Sequence, residues 1–180
     1  CKNMRLFASG SAPLLAEIFS AFEERTGLHI LERYGMTEAI VISSNPFDGD
    51  RKAGSVGFPI PGVQVRIRDD QGKQVPSGDA GMLELAGPSV FQGYWRMPEK
   101  TGEEFSSDGY FITGDLASMD EDGRITIVGR AKDLVISGGY NVYPREVELV
   151  IDEIEGVMES AVIGIAHPDF GEAVTAVIVK

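Results

Sequence analysis

The sequence lacks the features that mark disulfide-bonded, nucleic-acid-binding and membrane-spanning proteins. Its single cysteine, Cys1, cannot form an internal disulfide, which favours a reducing compartment such as the cytoplasm. It has no Lys/Arg-rich run, and 28 acidic against 16 basic side chains give a net charge of -12, which argues against a nucleic-acid or anionic-membrane surface. No apolar stretch approaches the roughly 20 residues that cross a bilayer. Any phosphate that this protein binds must therefore be held by a local group of residues.

What is present predicts a globular protein. The 180 residues, 43% of them hydrophobic, suffice for one compact domain or two small ones. The chain begins with "CKNMRLFASGS", which enters a predicted strand almost at once, and it ends with "TAVIVK" inside another. We therefore expect it to be a piece of a longer chain.

Residues 1–53 have the pattern of a strand, a helix and a second strand. We predict strands at residues 4–8 and 28–31, with a helix between them that ends at Gly27. Ser11 is the expected N-cap of the helix, and Pro13 suits its first turn. This order is typical of a parallel sheet whose loops at the strand C-termini bind ligands.

Two further segments follow. Residues 54–131 contain short strands separated by turns such as "DDQG" and "DEDG", and Val63, Val65 and Ile67 alternate with polar residues, which predicts a small β-barrel or sandwich. Residues 132–180 contain a glycine loop, a helix that begins at Pro144 and two strands, which predicts an α+β segment. A domain boundary is expected near Lys132.

The stretch "YGMTE" places several chemically active residue types in a row. Tyr34 offers a flat face for a base, Gly35 permits close approach of a ligand, Thr37 offers a hydroxyl to phosphate, and Glu38 is a ligand for Mg²⁺. A structural reading is also open, in which Tyr34 lies at the edge of the core and Thr37 and Glu38 cap a following helix.

This stretch belongs to an ordered series of motifs: "SGSAPL", "YGMTE", "GFPIPG", "GYW", "DGYFITGDL", "GRAKDLVISGGYNVYPREVE" and "HPDFGE". Together they resemble the adenylate-forming enzymes, which include acyl-CoA synthetases, luciferase-like enzymes and peptide-synthetase adenylation domains. The run is most similar to malonyl-CoA synthetases. The resemblance implies α/β and β-barrel parts of a large N-terminal domain, followed by the start of a small mobile α+β C-terminal domain.

The resemblance also implies which residues bind ATP and Mg²⁺. Tyr34 would stack beside the adenine, Thr37 would bond the α-phosphate, and Glu38 would coordinate Mg²⁺. Asp115 would accept both ribose hydroxyls, with Arg130 as a further donor. The whole set implied for the nucleotide is Gly10, Ser11, Ala12, Pro13, Arg33, Tyr34, Gly35, Met36, Thr37, Asp115 and Arg130. The open alternatives are that Asp115 caps a turn and that Arg130 pairs with a surface acid.

A second set of implied residues concerns coenzyme A. Lys132 would be the hinge about which the C-terminal domain turns between the two half-reactions. The loop that forms a wall of the thiol tunnel would contain Ser137, Gly138, Gly139 and Tyr140. The alternative for Gly138 and Gly139 is an ordinary hairpin turn.

The position of Arg33 bears on the choice of acid. A guanidinium beside the acyl pocket would bind a second carboxylate, which favours a dicarboxylic acid such as malonate, although an ion pair with Glu32 or Glu38 is an alternative. The resemblance implies an ATP-dependent acid-CoA ligase of fatty acid metabolism. Another acyl-CoA synthetase, a carrier-loading adenylation domain and a non-catalytic nucleotide-binding module are the alternatives. The phosphate loop and catalytic lysine of such enzymes would lie upstream and downstream, so the 180 residues alone should be inactive.

Overall fold

The computed structural model describes residues 3–180, which form two compact units. The first unit runs to Thr113 and includes Ala117–Ile127, and the second contains Gly114–Leu116 and Val128–Lys180. No helix in residues 3–180 has both the length and the apolar character needed to cross a membrane.

The first unit begins with the expected strand, helix and strand, at shifted positions. Strand β1 spans Ala8–Ser9, helix α1 spans Ala16–Thr26, and strand β2 spans Leu31–Met36. β1 pairs with β2 in parallel, so this prediction is confirmed. The predicted bounds of both strands are wrong, because each strand lies further along the chain.

The start of α1 also differs from the prediction. Leu15 is the N-cap, with no side-chain cap bond, so Ser11 does not cap the helix. Ser11 instead has φ of +72°, a left-handed conformation that side chains other than glycine adopt infrequently. The C-terminal prediction is confirmed, because Gly27 ends α1 with φ of +68° and its N–H donates to the carbonyl of Glu23.

An antiparallel pair extends the first sheet. Strand β3 spans Ile40–Ser44 and β4 spans Phe58–Pro59, and the strand order of the sheet is β1-β2-β3-β4. Asn45 joins this sheet to the following loop, because its side-chain amide donates to the carbonyls of Glu32 and Ser55. The end of β3 is therefore fixed by buried hydrogen bonds.

The strands predicted for the middle segment form a second sheet. Its strands are β5 Gln64–Arg68, β6 Gly81–Ala86, β7 Phe111–Met119 and β8 Ile125–Arg130, in the order β5-β6-β7-β8, with helix α2 Pro98–Glu103 between β6 and β7. A buried core joins both sheets of the first unit and contains Ala39, Ile42, Ile67, Leu83, Leu85, Phe111, Ala117 and Ile125.

A charged cluster fixes the segment before β7. The Arg66 guanidinium on β5 bonds the carboxylates of Glu84 and Asp108 and lies over the ring of Tyr110, 3.6 Å from its centroid. The hydrogen bond from Arg66 holds the pKa of Asp108 well below its usual range. The loop that leads into β7 is thereby tied to the face of the second sheet.

The second unit contains the predicted glycine loop, helix and strand pair. Its elements are strands β9 Val135–Ser137 and β10 Tyr140–Val142, helix α3 Pro144–Asp152, and strands β11 Glu159–His167 and β12 Gly171–Val179. The sheet has the order β10-β9-β12-β11. The Glu148 side chain on α3 accepts a bond from the Val162 N–H at 2.9 Å, which fixes the helix to β11.

Candidate functional site

Thr37 and Glu38 lie in the tight turn between β2 and β3. Tyr34, Gly35 and Met36 belong to strand β2, and residues 37–39 form the turn. The alternative that Thr37 and Glu38 cap a helix is wrong, because the antiparallel strand β3 follows. The turn places the Thr37 side chain at the surface, available to a ligand.

Gly35 permits this hairpin to close. A Cβ at position 35 would overlap the carbonyl oxygen of Ile40 and lie 3.1 Å from the Cα of Val41. The register between β2 and β3 shifts between Tyr34 and Gly35, which bends the strand just before the turn. The close approach that glycine permits here is therefore to the neighbouring strand of the chain itself.

Glu38 is held by two hydrogen bonds from one later segment. The Tyr94 hydroxyl donates to Oε1 of Glu38 at 3.0 Å, and the Phe91 N–H donates to the Glu38 carbonyl at 2.7 Å. Burial, followed by the bond to Glu38, raises the pKa of Tyr94 to about 12. Sequence reasoning did not assign Tyr94 to the site, although the motif "GYW" contains it.

The Arg33 side chain lies beside the loop between β1 and α1. A Cβ on Gly10 would lie 3.3 Å from Cγ and 3.7 Å from Nε of Arg33. Within residues 3–180, Arg33 forms no ion pair with Glu32 or with Glu38, so the alternative of such a pair is wrong. The structure thus brings Arg33 together with the first residue of the predicted adenine loop, whose other members, Ser11, Ala12 and Pro13, are exposed.

Glu32, the residue before Arg33, is buried, with 5% of its surface exposed. Burial raises the pKa of its carboxyl, although backbone N–H groups of Gly54 and Leu14 bond to it and oppose this effect. Its Oε2 has no hydrogen-bond partner within residues 3–180. The side chain of Glu32 is therefore directed into the protein, on the face of β2 opposite to Arg33.

Tyr34 and Met36 also contribute to the packing of the first unit. Both are half-buried and pack against the core of the first unit. This observation agrees with the structural reading of Tyr34 as a residue at the edge of the core.

Asp115 and Arg130 contact each other in the second unit. Nε of Arg130 lies 3.2 Å from Oδ1 of Asp115, whose side chain is 7% exposed against 60% for Arg130. Asp115 lies within β7, so the alternative that it caps a turn is wrong. The acid that pairs with Arg130 is this buried carboxylate rather than a surface acid. The two residues that the resemblance assigns to the ribose therefore form an ion pair.

Lys132 and the glycine loop follow in the same unit. Lys132 lies in a single 3₁₀ turn, Ala131–Asp133, and is exposed. Gly138 and Gly139 form the turn of the β9–β10 hairpin with φ of +58° and +85°, which glycine adopts at little cost. Ser137 ends β9, and Tyr140, which begins β10, is 77% exposed. Gly138 and Gly139 thus form a hairpin turn, as the alternative stated. Whether the turn also binds coenzyme A, as the resemblance implies, is a separate prediction.

The residues present fit a magnesium ion that is shared with a nucleotide. Within residues 3–180 no three His, Cys, Asp or Glu side chains converge as a protein-only metal site. Mg²⁺ bound with ATP commonly takes only one or two carboxylates from the protein. Glu38 would be one such carboxylate, and its hydrogen bond from Tyr94 leaves acceptor capacity for a cation.

The model of a known family, described as AMP-binding enzyme, matches residues 1–95, which is more than half of the chain. The chain belongs to the AMP-binding enzyme family. The site residues from Gly10 to Tyr94 lie within the part that matches this family, and Asp115, Arg130, Lys132 and the glycine hairpin follow it.

Individual AMP-binding relatives extend the match over nearly the whole chain. A long-chain-fatty-acid-CoA ligase of Yersinia pestis is 43% identical over 99% of the chain and 32% of its own length. A malonate-CoA ligase of Arabidopsis thaliana is 42% identical over 99% of the chain and 29% of its own length. The chain therefore spans about a third of the curated relatives it matches.

A solved structure shows the fold of this family directly. The ATP-bound crystal structure of MatB from Rhodopseudomonas palustris matches 97% of the chain and 35% of its own, with 60% identity and a TM-score of 0.94. The described residues thus have the mixed α/β fold of adenylate-forming enzymes, as the sequence predicted.

Proposed function

We propose that the protein containing this chain is an ATP-dependent acid-CoA ligase and that malonate is its preferred acid. A carboxylate oxygen of malonate attacks the α-phosphorus of ATP and displaces pyrophosphate, which gives malonyl-adenylate. The thiol of coenzyme A then loses its proton to solvent, and its sulfur attacks the malonyl carbonyl carbon and displaces AMP. The products are malonyl-CoA, AMP and pyrophosphate.

The β2–β3 turn supports the first half of this proposal. It presents the hydroxyl of Thr37 and the carboxylate of Glu38 together, and the Tyr94 hydroxyl orients that carboxylate. Thr37 donates a hydrogen bond to the α-phosphate, and Glu38 holds Mg²⁺, which supplies positive charge to the phosphates when bound. From the resemblance alone, we further propose that Asp115 binds the ribose hydroxyls and that Arg130 adds a donor there. Alignment and charge neutralisation of this kind account for most catalysis in phosphoryl chemistry.

The single observation that carries the choice of acid is the unpaired Arg33. Its guanidinium forms no ion pair within residues 3–180, and its side chain lies beside Gly10, near the loop assigned to the adenine. A guanidinium binds a carboxylate through two parallel hydrogen bonds, whereas a fatty acid has no second carboxylate to offer. The malonate-CoA ligase relative agrees with this choice.

The main alternative is a ligase for another acid. The long-chain-fatty-acid-CoA ligase relative is as similar as the malonate relative, at 43% against 42% identity. From another class, a nucleotide-binding module without catalysis would keep ATP binding and release no pyrophosphate. The presence of Thr37, Glu38, Asp115, Arg130 and Lys132, all of the types that the reaction needs, is the argument against such a module.

The experiment is pyrophosphate release by the full-length protein with malonate, succinate, octanoate and palmitate. We expect malonate to react fastest. Hydrogen bonds to charged groups are worth about 1.5–3 kcal/mol, so Arg33→Ala should lower kcat/KM for malonate about 10- to 150-fold and leave octanoate unaffected or improved. Arg25→Ala, an exposed arginine in the last turn of α1, is the matched control.

Three results would distinguish the malonate ligase from the long-chain ligase and the non-catalytic module. Unchanged selectivity in Arg33→Ala would refute the dicarboxylate pocket. Palmitate as the best acid of the wild-type protein would favour the long-chain ligase. ATP binding without pyrophosphate release for any acid would favour the module.

Three further parts of the proposal concern organisation and location. We propose that residues 1–53 and 54–131 belong to the N-terminal domain and that residues 132–180 begin a C-terminal domain with its hinge at Lys132. Coenzyme A binds against Ser137, Gly138, Gly139 and Tyr140. The single cysteine supports a reducing compartment, and we propose the cytoplasm.

A further inference from the structure

The motif "HPDFGE" has no part in the reaction described above. It covers His167–Glu172, which form the end of β11, the turn after it and the start of β12. All of its contacts described below lie within the second unit. The turn lies beside the β9–β10 hairpin, which carries Gly138 and Gly139.

Two hydrogen bonds connect this turn to the hairpin. Oε2 of Glu172 accepts the N–H of Ile136 at 2.8 Å, and the carbonyl of Phe170 accepts the N–H of Gly138 at 2.8 Å. Between these bonds, Gly171 of β12 lies opposite Ser137 of β9. The bonds therefore fix the hairpin on both sides of Ser137.

The position of the Glu172 carboxylate depends on a glycine of the neighbouring strand. A Cβ on Gly164 of β11 would overlap Oε1 of Glu172 and lie 3.2 Å from Cγ1 of Val135. The carboxylate thus occupies space that any other residue at position 164 would fill. Because a carboxylate at the end of a flexible side chain can move aside, a Cβ here would displace it at little cost in folding.

The aromatic rings of the motif pack beside the same loop. The His167 and Phe170 rings are stacked, with centroids 4.9 Å apart and planes at 27°. A Cβ on Gly138 would lie 3.6 Å from Cδ1 of Phe170, which is ordinary contact. The Phe170 ring therefore lies directly against the glycine turn, with the His167 ring stacked on it.

The hairpin needs such support because it is short. β9 and β10 have three residues each, and a two-stranded hairpin of this size is marginally stable by itself. Tyr140 is 77% exposed, so its side chain adds little packing within the unit. The contacts of Glu172 and Phe170 restrict where the glycine turn lies.

We propose that Glu172 is a positioning residue for the thioester-forming step, because it holds the β9–β10 hairpin where coenzyme A must pass. This inference rests on the proposed function, in which Ser137, Gly138, Gly139 and Tyr140 contact coenzyme A. It assigns no direct contact with substrate to Glu172. Adenylate formation, which uses Thr37 and Glu38, should not depend on it.

The test measures the two half-reactions of the full-length protein separately. Pyrophosphate exchange reports adenylate formation, and the single-turnover reaction of preformed malonyl-adenylate with coenzyme A reports thioester formation. We expect Glu172→Ala to slow thioester formation about tenfold, the effect of losing one hydrogen bond to a charged acceptor, and to leave pyrophosphate exchange within about twofold. Glu172→Gln should recover most of the rate, because its amide oxygen can accept the Ile136 N–H.

Two further variants separate positioning from general loss of stability. Gly164→Ala keeps Glu172 but displaces its carboxylate, so it should reproduce the effect of Glu172→Ala. Glu155→Ala removes an exposed carboxylate of the same unit and should change neither half-reaction. Equal slowing of both half-reactions in Glu172→Ala, or a normal thioester rate, would overturn the inference.

Hydrogen exchange gives a readout that does not depend on activity. Amides of the segment 136–142 should exchange faster in Glu172→Ala and Gly164→Ala than in the wild-type protein or in Glu155→Ala. Unchanged exchange would overturn the inference whatever the kinetics. If the wild-type protein forms no thioester from any acid, the proposed function fails, and hydrogen exchange alone decides whether Glu172 holds the hairpin.

Discussion

Replacement of Gly35 by alanine should destabilise the hairpin that carries Thr37 and Glu38. The added Cβ would overlap the carbonyl oxygen of Ile40 and lie 3.0 Å from the carbonyl carbon of Ile40 and 3.1 Å from Cα of Val41. These atoms are backbone of the paired strand β3, so no side-chain rotation can relieve the overlap. Either β3 must move away or the turn must open.

The size of this effect can be estimated from the cost of overpacking. Adding methyl groups to a well-packed site costs about 1–3 kcal/mol, and a backbone obstacle puts Gly35→Ala at the upper end. For a chain of 180 residues the unfolding midpoint falls about 2–4 °C per kcal/mol. We therefore expect Gly35→Ala to lower the midpoint by about 6–12 °C, measured by circular dichroism during heating.

Gly102→Ala is the matched control. Gly102 lies within α2, and apart from its chain neighbours and the helix backbone no atom of residues 3–180 lies within 4 Å of the Cβ that alanine would add. The same chemical change should therefore stabilise the protein by about 0.5–1 kcal/mol, because glycine is disfavoured within a helix. If Gly35→Ala unfolds at the same temperature as the wild-type protein while Gly102→Ala unfolds at a higher one, the described closeness of β2 and β3 is wrong.

Two other predictions concern titrating groups. Burial raises the pKa of Glu32, so folding stability should fall as pH rises from the ordinary glutamate pKa through the raised folded value. Glu32→Gln should remove this fall and be at least as stable as the wild-type protein at pH 7. Thermal unfolding midpoints of both proteins between pH 4 and pH 8 test this. If the two midpoints change with pH in the same way, the prediction is wrong. For Tyr94, whose pKa is raised to about 12, the difference between ultraviolet titrations of the wild-type protein and Tyr94→Phe should show one phenol that ionises near that value. Glu38→Gln should lower the value, since it removes the negative charge beside the phenol, and an unchanged titration would show that the bond to Glu38 does not contribute.

The first sheet shows where local patterns succeed and where they fail. The order of strand, helix and strand and the end of α1 at Gly27 were predictable, because apolar spacing and glycine conformation act within a few residues. The extent of β2 was not predictable from its own residues. "RYGM" contains a charged residue and a glycine, and it is a strand because β3 supplies its hydrogen-bond partners.

The sequence by itself determined the family and the type and order of most elements, because alternation, turn residues and motif order can be read along the chain. Strands β3 and β4 and helix α2 were not predicted. Only the tertiary structure decided which side chains meet. Tyr94 bonds Glu38 across 56 residues, and Glu172 bonds the Ile136 N–H across 36 residues. No local pattern encodes such pairs, because the distance between two residues far apart in the chain is set by the packing of the elements between them.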